Sequence, residues 1–242
     1  MEKLTKKEKK EIRKQEWEEK LKKEQREKLF KKVGIWAGVV IVFSLVIWGL
    51  IVATNKPISE NSTIVDLPSP RENDITIGSS SAKVVLTEYT DFQCPACAEN
   101  YLTVKQVLAD YGDKVLFVYR NFPLPQHQNA KSAAYTAYSA FKQGKFSEME
   151  DLLYGNQTSW ENEVNPEAIF RQYAEQIGLD INKYDQDVTS NETRQIIEDQ
   201  RNESLSLGIS STPTFFVNKE KLQNIQGYDS FKEAIENALS KE

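Results

Sequence analysis

The chain has 242 residues, of which 31 are Lys or Arg, 36 are Asp or Glu and two are Cys. Residues 1–32 hold 14 basic and 8 acidic side chains, a net charge of +6, and the rest hold 17 and 28, a net charge of −11. The larger part would repel phosphates, so nucleic-acid binding is not expected. Two cysteines are too few for a disulfide-stapled scaffold, and with one His they do not fill a tetrahedral zinc site without carboxylates or a second chain.

An uncharged run over residues 33–54 predicts a membrane-spanning helix. At about 1.5 Å rise per residue it crosses a hydrocarbon core of about 30 Å, and Trp36 and Trp48 lie toward its ends, at the headgroup level. A cleaved signal peptide with a poor site at Ala53 or Thr54 is the alternative. Because lysines abut the start of the run, the positive-inside rule predicts a cytoplasmic N-terminus and an extracytoplasmic C-terminal part.

The segments on either side of this run differ in character. Residues 1–32 alternate Glu and Lys at i,i+4 spacing, which predicts a basic, solvated cytoplasmic helix. Residues 55–75 are rich in Pro, Ser, Asn and charge and predict a linker. Residues 76–242 are then the outer domain.

The outer domain begins with a predicted strand–helix–strand unit. Strands are predicted at 83–91 and 114–121, with a helix between them from about Cys94 to Ala109, and such a unit favours a mostly parallel sheet. A helical insertion of about 126–208 follows. Its first helix is predicted at 129–142. The second has Asn165 as N-cap and Pro166 at the first helical position and stops at Gly178, and the third covers 192–207 and ends at Gly208. A strand at 214–218, a short partner strand at 225–228 and a helix at 230–239 capped by Asp229 close the chain. This order is that of an α/β thioredoxin fold with a helical insertion.

Both cysteines lie in one Cys-Pro-Ala-Cys motif at residues 94–97, where the predicted strand meets the helix. Pro95 suits the first helical position, so Cys94 would lie at the helix N-terminus, where the partial positive charge favours a thiolate. Cys97 lies one turn further on, close enough for a disulfide. The alternatives are half of a zinc site, an inert bridge across a loop too short to stabilise strongly, or coincidence. Redox chemistry is the favoured hypothesis, and His127, the one His, is predicted to cap the helix near Asn129.

Four sequence runs resemble the DsbA-like thiol-disulfide oxidoreductases, in particular their membrane-anchored bacterial type. These runs are VVLTEYTDFQCPACAENY, RNFPL, QGKFSEMEDLLY and STPTFFV, the last at residues 211–217. The resemblance covers about residues 74–242. A Cys-x-x-Cys combined with a Thr-Pro before a strand far downstream is more specific than either motif alone.

The resemblance implies a role for each matching residue. Cys94 corresponds to the exposed nucleophile and Cys97 to its buried partner in a redox disulfide. Pro213 corresponds to a cis-proline that lies against this disulfide, and Thr212 would offer its backbone to a substrate strand. Glu88 corresponds to an acidic residue beneath the active site; if it is buried, its pKa is raised and it can shuttle a proton for Cys97.

One departure concerns the dipeptide between the cysteines. It is Pro95-Ala96 here, whereas the strongly oxidising DsbA has a His in the second place, so the resemblance leaves the oxidising strength open. The implied function is to form disulfides in exported proteins, with reoxidation by a quinone-linked membrane partner of the DsbB or VKOR type and without a metal or dissociable cofactor. The alternatives are a reductase or isomerase, a redox-inactive peptide-binding module, and a membrane-tethered scaffold acting through the N-terminal helix. In each case residues 33–54 would contact lipid.

Overall fold

The computed structural model describes the single positions Trp17, Ser44 and Ile47 and the ranges 65–225 and 227–241. The chain divides into two units, 1–61 and 62–242, and all elements below belong to the second. The predicted cytoplasmic segment, the membrane span and the first part of the linker lie outside the described residues, apart from those three positions. Among the described residues, no helix is both long and apolar enough to cross a membrane.

A five-stranded sheet lies at the centre of the described domain. Its strands are β1 (Ile75–Gly78), β2 (Val84–Thr90), β3 (Val115–Asn121), β4 (Thr214–Val217) and β5 (Glu220–Lys221). Their order is β1-β3-β2-β4-β5; β2 and β3 are parallel, and the other neighbouring pairs are antiparallel. The central strands are buried along nearly their whole length, which accounts for their unbroken runs of β-branched and aromatic residues.

Eight helices surround the sheet in the described part of the chain. They are α1 (Pro95–Tyr111), α2 (Ala130–Phe141), α3 (Phe146–Gly155), α4 (Gln157–Trp160), α5 (Glu167–Gln176), α6 (Ile181–Thr189), α7 (Asn191–Ser206) and α8 (Tyr228–Ser240). Helix α1 is the crossover between the parallel strands β2 and β3 and packs against α8. Along the chain, helices α2 to α7 come after β3 and before β4. The predicted thioredoxin-like layout with a helical insertion is therefore confirmed.

The structure corrects the sequence predictions near the chain's C-terminal end. The partner strand of β4 is at residues 220–221 rather than at 225–228, because Asn218 turns the chain directly after β4 with a positive φ of 55°. Its side-chain oxygen accepts a hydrogen bond from the Val85 N–H at 2.9 Å, which fixes this turn against β2. Helix α8 begins at Tyr228 with Gly227 in the N-cap position, so Asp229 lies inside the first turn and is not the cap.

Several elements were not predicted. Strand β1 and helices α3, α4 and α6 follow none of the sequence signals described above, and Pro166 is the N-cap of α5 rather than its first residue. Strand β1 begins within the predicted linker, and Leu67 and Asp74 in the same segment are 6% and 1% exposed. The last part of the predicted linker is therefore packed into the domain.

A fully buried arginine, Arg120 on β3, holds this segment in place. Its guanidinium donates to Asp74 Oδ2 at 2.8 Å and to the Tyr89 hydroxyl at 3.0 Å, and it forms an ion pair with Glu203 of α7 at 3.0 Å. Two backbone carbonyls just upstream of Asp74 accept its remaining hydrogen bonds, both at 3.2 Å. The cluster thus connects the segment before β1, the central strands and the helical insertion.

Candidate active site

The two cysteines lie at the start of α1, directly after the carboxyl end of β2. Cys94 is the N-cap residue with extended backbone angles of φ −76° and ψ 122°, and Pro95 opens the helix as predicted. The N–H groups of Cys97 and Ala98 donate to the Cys94 carbonyl oxygen at 3.1 and 3.2 Å. Cys94 therefore lies at the end of the helix where the dipole favours a negative charge.

The two thiols, both reduced in this structure, differ in solvent access. Cys94 is 7% exposed, and Cys97 has no accessible surface. Cys94 is thus less exposed than expected, because the segment before β4 covers it: its Sγ donates a hydrogen bond to the Thr212 carbonyl oxygen at 3.4 Å. Of the two sulfurs, Cys94 is the one that an incoming group can reach.

Thr212 and Pro213 approach the cysteines because of the strand pairing. Strand β4 runs antiparallel to β2 and pairs Thr214 with Tyr89, so the start of β4 lies beside the end of β2, which leads to Cys94. The Thr212–Pro213 peptide bond is cis, in agreement with the expectation from the sequence. The Thr212 hydroxyl oxygen is buried and has no hydrogen-bond partner among the described residues.

The environment separates the acidities of the two thiols. A hydrogen bond from the Cys97 thiol lowers the pKa of Cys94 to about 6, although burial acts in the opposite direction. Burial, the hydrogen bond to Cys94 and the nearby charge of Glu88 raise the pKa of Cys97 far above its ordinary value. At pH 7 the pair therefore holds a reachable thiolate at Cys94 and a protonated, buried thiol at Cys97.

Glu88 lies on β2, close to both thiols. It is 4% exposed, which meets the condition on which its raised pKa depended, and among the described residues it forms no ion pair. Burial raises the pKa of Glu88 to about 8, with a further contribution from a charged Cys94. A carboxyl group with this pKa can exchange a proton with its surroundings near neutral pH.

Buried hydroxyl groups that were not predicted from the sequence surround Glu88. Thr90 Oγ1 lies 2.9 Å from the Tyr154 hydroxyl, which lies 3.2 Å from the Tyr119 hydroxyl. Helix α3 supplies Tyr154 and also Glu150, which is 7% exposed. The resemblance included this part of the chain, but no pattern within it indicates that α3 packs over the carboxyl end of β2.

The Asp91 carboxylate organises the loop before Cys94. It accepts hydrogen bonds from the N–H groups of Gln93 at 2.7 Å and Leu124 at 2.8 Å, and its Oδ2 lies 2.8 Å from Nδ1 of His127. The prediction that His127 caps the following helix is therefore wrong. An Asp whose side chain bonds the N–H two residues later is a turn signal that could have been recognised in the sequence.

The helical insertion also holds this loop. The Gln157 side chain donates to the carbonyl oxygens of Phe92 at 2.7 Å and Cys94 at 3.2 Å. In return, the Gln93 side chain donates to the Glu161 carbonyl oxygen at 2.8 Å. The backbone on both sides of Cys94 is thus fixed by residues more than 60 positions further along the chain.

The dipeptide between the cysteines is the exposed part of the site. Pro95 and Ala96 are both exposed, and His127, the one imidazole of the chain, is bonded to Asp91. Within the described ranges, no group of three or more His, Cys, Asp or Glu side chains is placed to hold a metal ion.

Three solved structures illustrate the similarity in fold. Oxidised BdbD from Bacillus subtilis is 22% identical, covers 74% of this chain and 100% of its own, and has a TM-score of 0.65. Wolbachia pipientis alpha-DsbA1 is 20% identical, covers 71% and 94%, and has a TM-score of 0.64. A thioredoxin-like oxidoreductase from Silicibacter pomeroyi DSS-3 is 25% identical, covers 70% and 94%, and has a TM-score of 0.60.

Curated relatives are named differently. The Na(+)/H(+) antiporter NhaA 1 of Mycobacterium sp. (strain KMS) is 34% identical over 196 residues, which are 78% of this chain and 31% of the antiporter. This chain therefore spans about a third of the length of that relative.

The family assignment rests on the match over the whole described fold. The family model for thioredoxin matches residues 71–237, from the segment before β1 into α8. The same elements form the thioredoxin-like fold that is structurally close to the DsbA-type proteins. By sequence match and by fold, this chain belongs to the thioredoxin family.

Proposed function

We propose that this chain is a protein thiol–disulfide oxidoreductase that forms disulfides through Cys94 and Cys97. The observation that carries the proposal is the asymmetry of the thiol pair. Cys94 retains accessible surface and a pKa of about 6, whereas Cys97 is fully buried with a raised pKa. A low pKa makes Cys94 a thiolate and a good leaving group near pH 7, which is what disulfide exchange requires of the reachable sulfur.

The reaction proceeds through a mixed disulfide. A substrate thiolate attacks Cys94 Sγ of the Cys94–Cys97 disulfide, the bond between the two enzyme sulfurs breaks, and Cys97 leaves with the electron pair and takes up a proton. A second substrate thiolate then attacks the substrate sulfur bound to Cys94, and Cys94 leaves as a thiolate. The substrate is oxidised by two electrons to a disulfide, and the enzyme is reduced to the dithiol.

Three groups support these steps in the proposed mechanism. Glu88 supplies the proton to Cys97 and later accepts it back, because its buried carboxyl titrates near neutral pH. The segment at Thr212 and Pro213 lies beside Cys94, where the Thr212 backbone can pair with an extended substrate. Pro95 and Ala96 form the exposed edge next to the attacked sulfur.

The proposed setting is the outer face of a membrane. The apolar run at 33–54 would anchor the chain with its N-terminus in the cytoplasm, and the thioredoxin domain would act on exported proteins. Reduced enzyme must pass two electrons onward, so we propose reoxidation by a quinone-linked membrane partner of the DsbB or VKOR type. The antiporter relative shares about a third of its length with this chain, and its named activity is not part of the proposal.

A second candidate uses the same centre in the reverse direction. With Pro95-Ala96 between the cysteines, no imidazole from the dipeptide stabilises the Cys94 thiolate. Less stabilisation of the reduced form lowers the reduction potential, and a lower potential favours a reductase or isomerase. The reduction potentials of thioredoxin-fold proteins range from about −120 mV for DsbA to about −270 mV for thioredoxin.

The test is a redox titration of the full chain in graded glutathione buffers. Because the chain has two cysteines, the mass added by alkylation of free thiols reports this pair alone. A potential near the DsbA value supports the oxidase, and one near the thioredoxin value supports the reductase or isomerase. If no disulfide forms at any ratio, the proposed activity is refuted and a redox-inactive binding module replaces it.

Cysteine variants test the assignment of roles. Cys97→Ser is expected to accumulate mixed disulfides with substrate, because the buried thiol that reverses the first step is missing. Cys94→Ser is expected to exchange no disulfides. Normal turnover in the Cys94→Ser protein would contradict the mechanism.

A further inference from the structure

Glu150 is a buried carboxyl group that the mechanism above does not use. It lies on α3, is 7% exposed, and among the described residues it has neither a hydrogen-bond donor nor an ion-pair partner. An ionised carboxylate in such a place is costly unless it is neutralised. Either the group keeps a proton at neutral pH or its charge is balanced by a neighbour.

The groups that face Glu150 do not balance its charge. They come from four elements: Glu88 of β2, Tyr119 of β3, Tyr101 and Lys105 of α1, and Asp151 of α3 itself. The one cation in this set, Lys105, is 41% exposed and already forms an ion pair with Asp151. Among the charged groups, the Glu88 carboxylate has the largest effect on Glu150, and it raises the pKa of Glu150.

Packing brings Glu150 toward Glu88. Glu88 lies beside Tyr119 in the pairing of β2 with β3, and Tyr119 contacts Phe146 at 5.0 Å between ring centroids and the Tyr154 hydroxyl at 3.2 Å. These two residues of α3 lie one turn before and one turn after Glu150, on the same helix face. Neither Glu88 nor Glu150 forms an ion pair in the described part of the chain, and burial raises the pKa of each to about 8. Two carboxyl groups that share one site cannot both ionise easily, and their protons leave in two steps that belong to the pair.

We propose that Glu88 and Glu150 form a coupled pair of buried acids, and that Glu150 is a positioning residue that keeps a proton of this pair available to Cys97 above neutral pH. The inference rests on the proposed thiol–disulfide function. The Thr90 hydroxyl lowers the pKa of both Glu88 and Cys97, so it lies close enough to interact with the carboxyl group and with the sulfur. The Tyr154 and Tyr119 hydroxyls extend this polar cluster toward α3.

The proton balance follows the redox cycle. When substrate attacks Cys94, Cys97 leaves as a thiolate and takes one proton from the acid pair, which water then reprotonates. When the enzyme is reoxidised, Cys94 is held in a mixed disulfide with the oxidising partner. The Cys97 sulfur attacks Cys94, the partner's sulfur leaves with the electron pair, and the Cys97 proton passes through the acid pair back to water. Glu150 affects this step through Glu88: while Glu150 is ionised, Glu88 loses its proton only at higher pH.

The test compares full-length wild type with Glu150→Gln. The infrared carbonyl band of protonated carboxyl groups, followed against pH, reports how many buried carboxyls hold a proton. In wild type we expect two coupled steps, and in Glu150→Gln one step, with the last proton lost about one pH unit lower. The rate of exchange between oxidised enzyme and a cysteine peptide should also be followed against pH. The part of this rate that requires a protonated carboxyl group should disappear at the same lower pH.

A matched control and a reciprocal variant complete the design. Glu148→Gln removes a 46% exposed carboxylate from the same helix and should leave both profiles unchanged, and Glu150→Asp should restore the wild-type profile. In Glu88→Gln the pH at which Glu150 loses its proton should fall by the same amount, because coupling between two sites is reciprocal. This second variant gives a result even where Glu150→Gln does not fold.

Two results would overturn the inference. One is an infrared titration in which Glu150→Gln leaves the last proton loss where wild type has it; the other is a Glu88→Gln protein in which Glu150 titrates as in wild type. If wild type exchanges no disulfides, the proposed function fails, but the infrared titration still decides whether the two carboxyl groups titrate as a coupled pair. The two failures are therefore distinguishable.

Discussion

The most direct test of the thiol pair is to remove the hydrogen bond that acidifies Cys94. The Cys97 thiol makes the largest contribution to lowering this pKa to about 6 from an ordinary 9.0. Cys97→Ala deletes the donor and leaves the other groups near Cys94 Sγ, which are Thr212 and the N–H groups at the start of α1. We therefore expect the pKa of Cys94 to rise part of the way back, by at least about one unit.

The expected size is best expressed as the thiolate fraction at pH 7. A pKa of about 6 corresponds to roughly 90% thiolate, and a pKa of 9.0 to roughly 1%. A rise of one unit already reduces the fraction to about half. Because the thiolate is the reacting species, alkylation of Cys94 at pH 7 should slow in the same proportion.

The assay is the pH dependence of alkylation of the reduced full chain. In Cys97→Ala only one cysteine remains, so the product is unambiguous. Cys97→Ser is the matched control, since its hydroxyl donates a hydrogen bond from the same position and should keep the pKa of Cys94 low. If Cys97→Ala titrates near pH 6, the helix N-terminus and Thr212 stabilise the thiolate without the second thiol, and the reasoning is refuted.

Two further predictions concern stability. The folded pKa of Cys94 lies below its unfolded value. Its contribution to the free energy of unfolding of the reduced protein is therefore complete above about pH 9 and is lost as pH falls through about 6. The difference in unfolding free energy between reduced wild type and Cys94→Ala should therefore shrink from pH 9 to pH 6 in denaturant titrations, and a difference that is constant with pH would contradict this. Arg120→Met removes the buried cation that pairs with Asp74 and Glu203 and leaves only the 39% exposed Arg71 paired with them. It should cost about 3 kcal/mol in the same assay; Arg171→Met, at an exposed surface pair, should cost much less.

Local chemistry made much of the site predictable from the sequence. Pro95 after a β-rich run indicates a helix that starts at the cysteines, and the structure has this helix. The runs that became β2 and β3 are continuous because both strands are buried in the centre of the sheet. The resemblance supplied the cis bond before Pro213 and the position of Glu88 beneath the site. The burial of Glu88 stayed open, because strand alternation alone did not determine it.

Contacts between distant segments were not predictable in this way. Asp74 and Arg120 belong to residue types that usually lie at the surface, and only their pairing across 46 positions explains why both are buried. His127 has the position of a helix cap, yet its ring is bonded to Asp91. In each case the partner is chosen by how the segments pack, and a local pattern contains no record of it.

The sequence by itself determined the reactive groups and their immediate frame: two cysteines one helical turn apart, a proline that starts the helix, and the strands that became β2, β3 and β4. The tertiary structure decided how those groups react. It covers Cys94 with the Thr212 segment, buries Cys97 completely, and places α3 so that Glu150 lies near Glu88. The physical reason is that acidity depends on desolvation and on neighbouring charges, and both arise only when residues far apart in the chain are packed together.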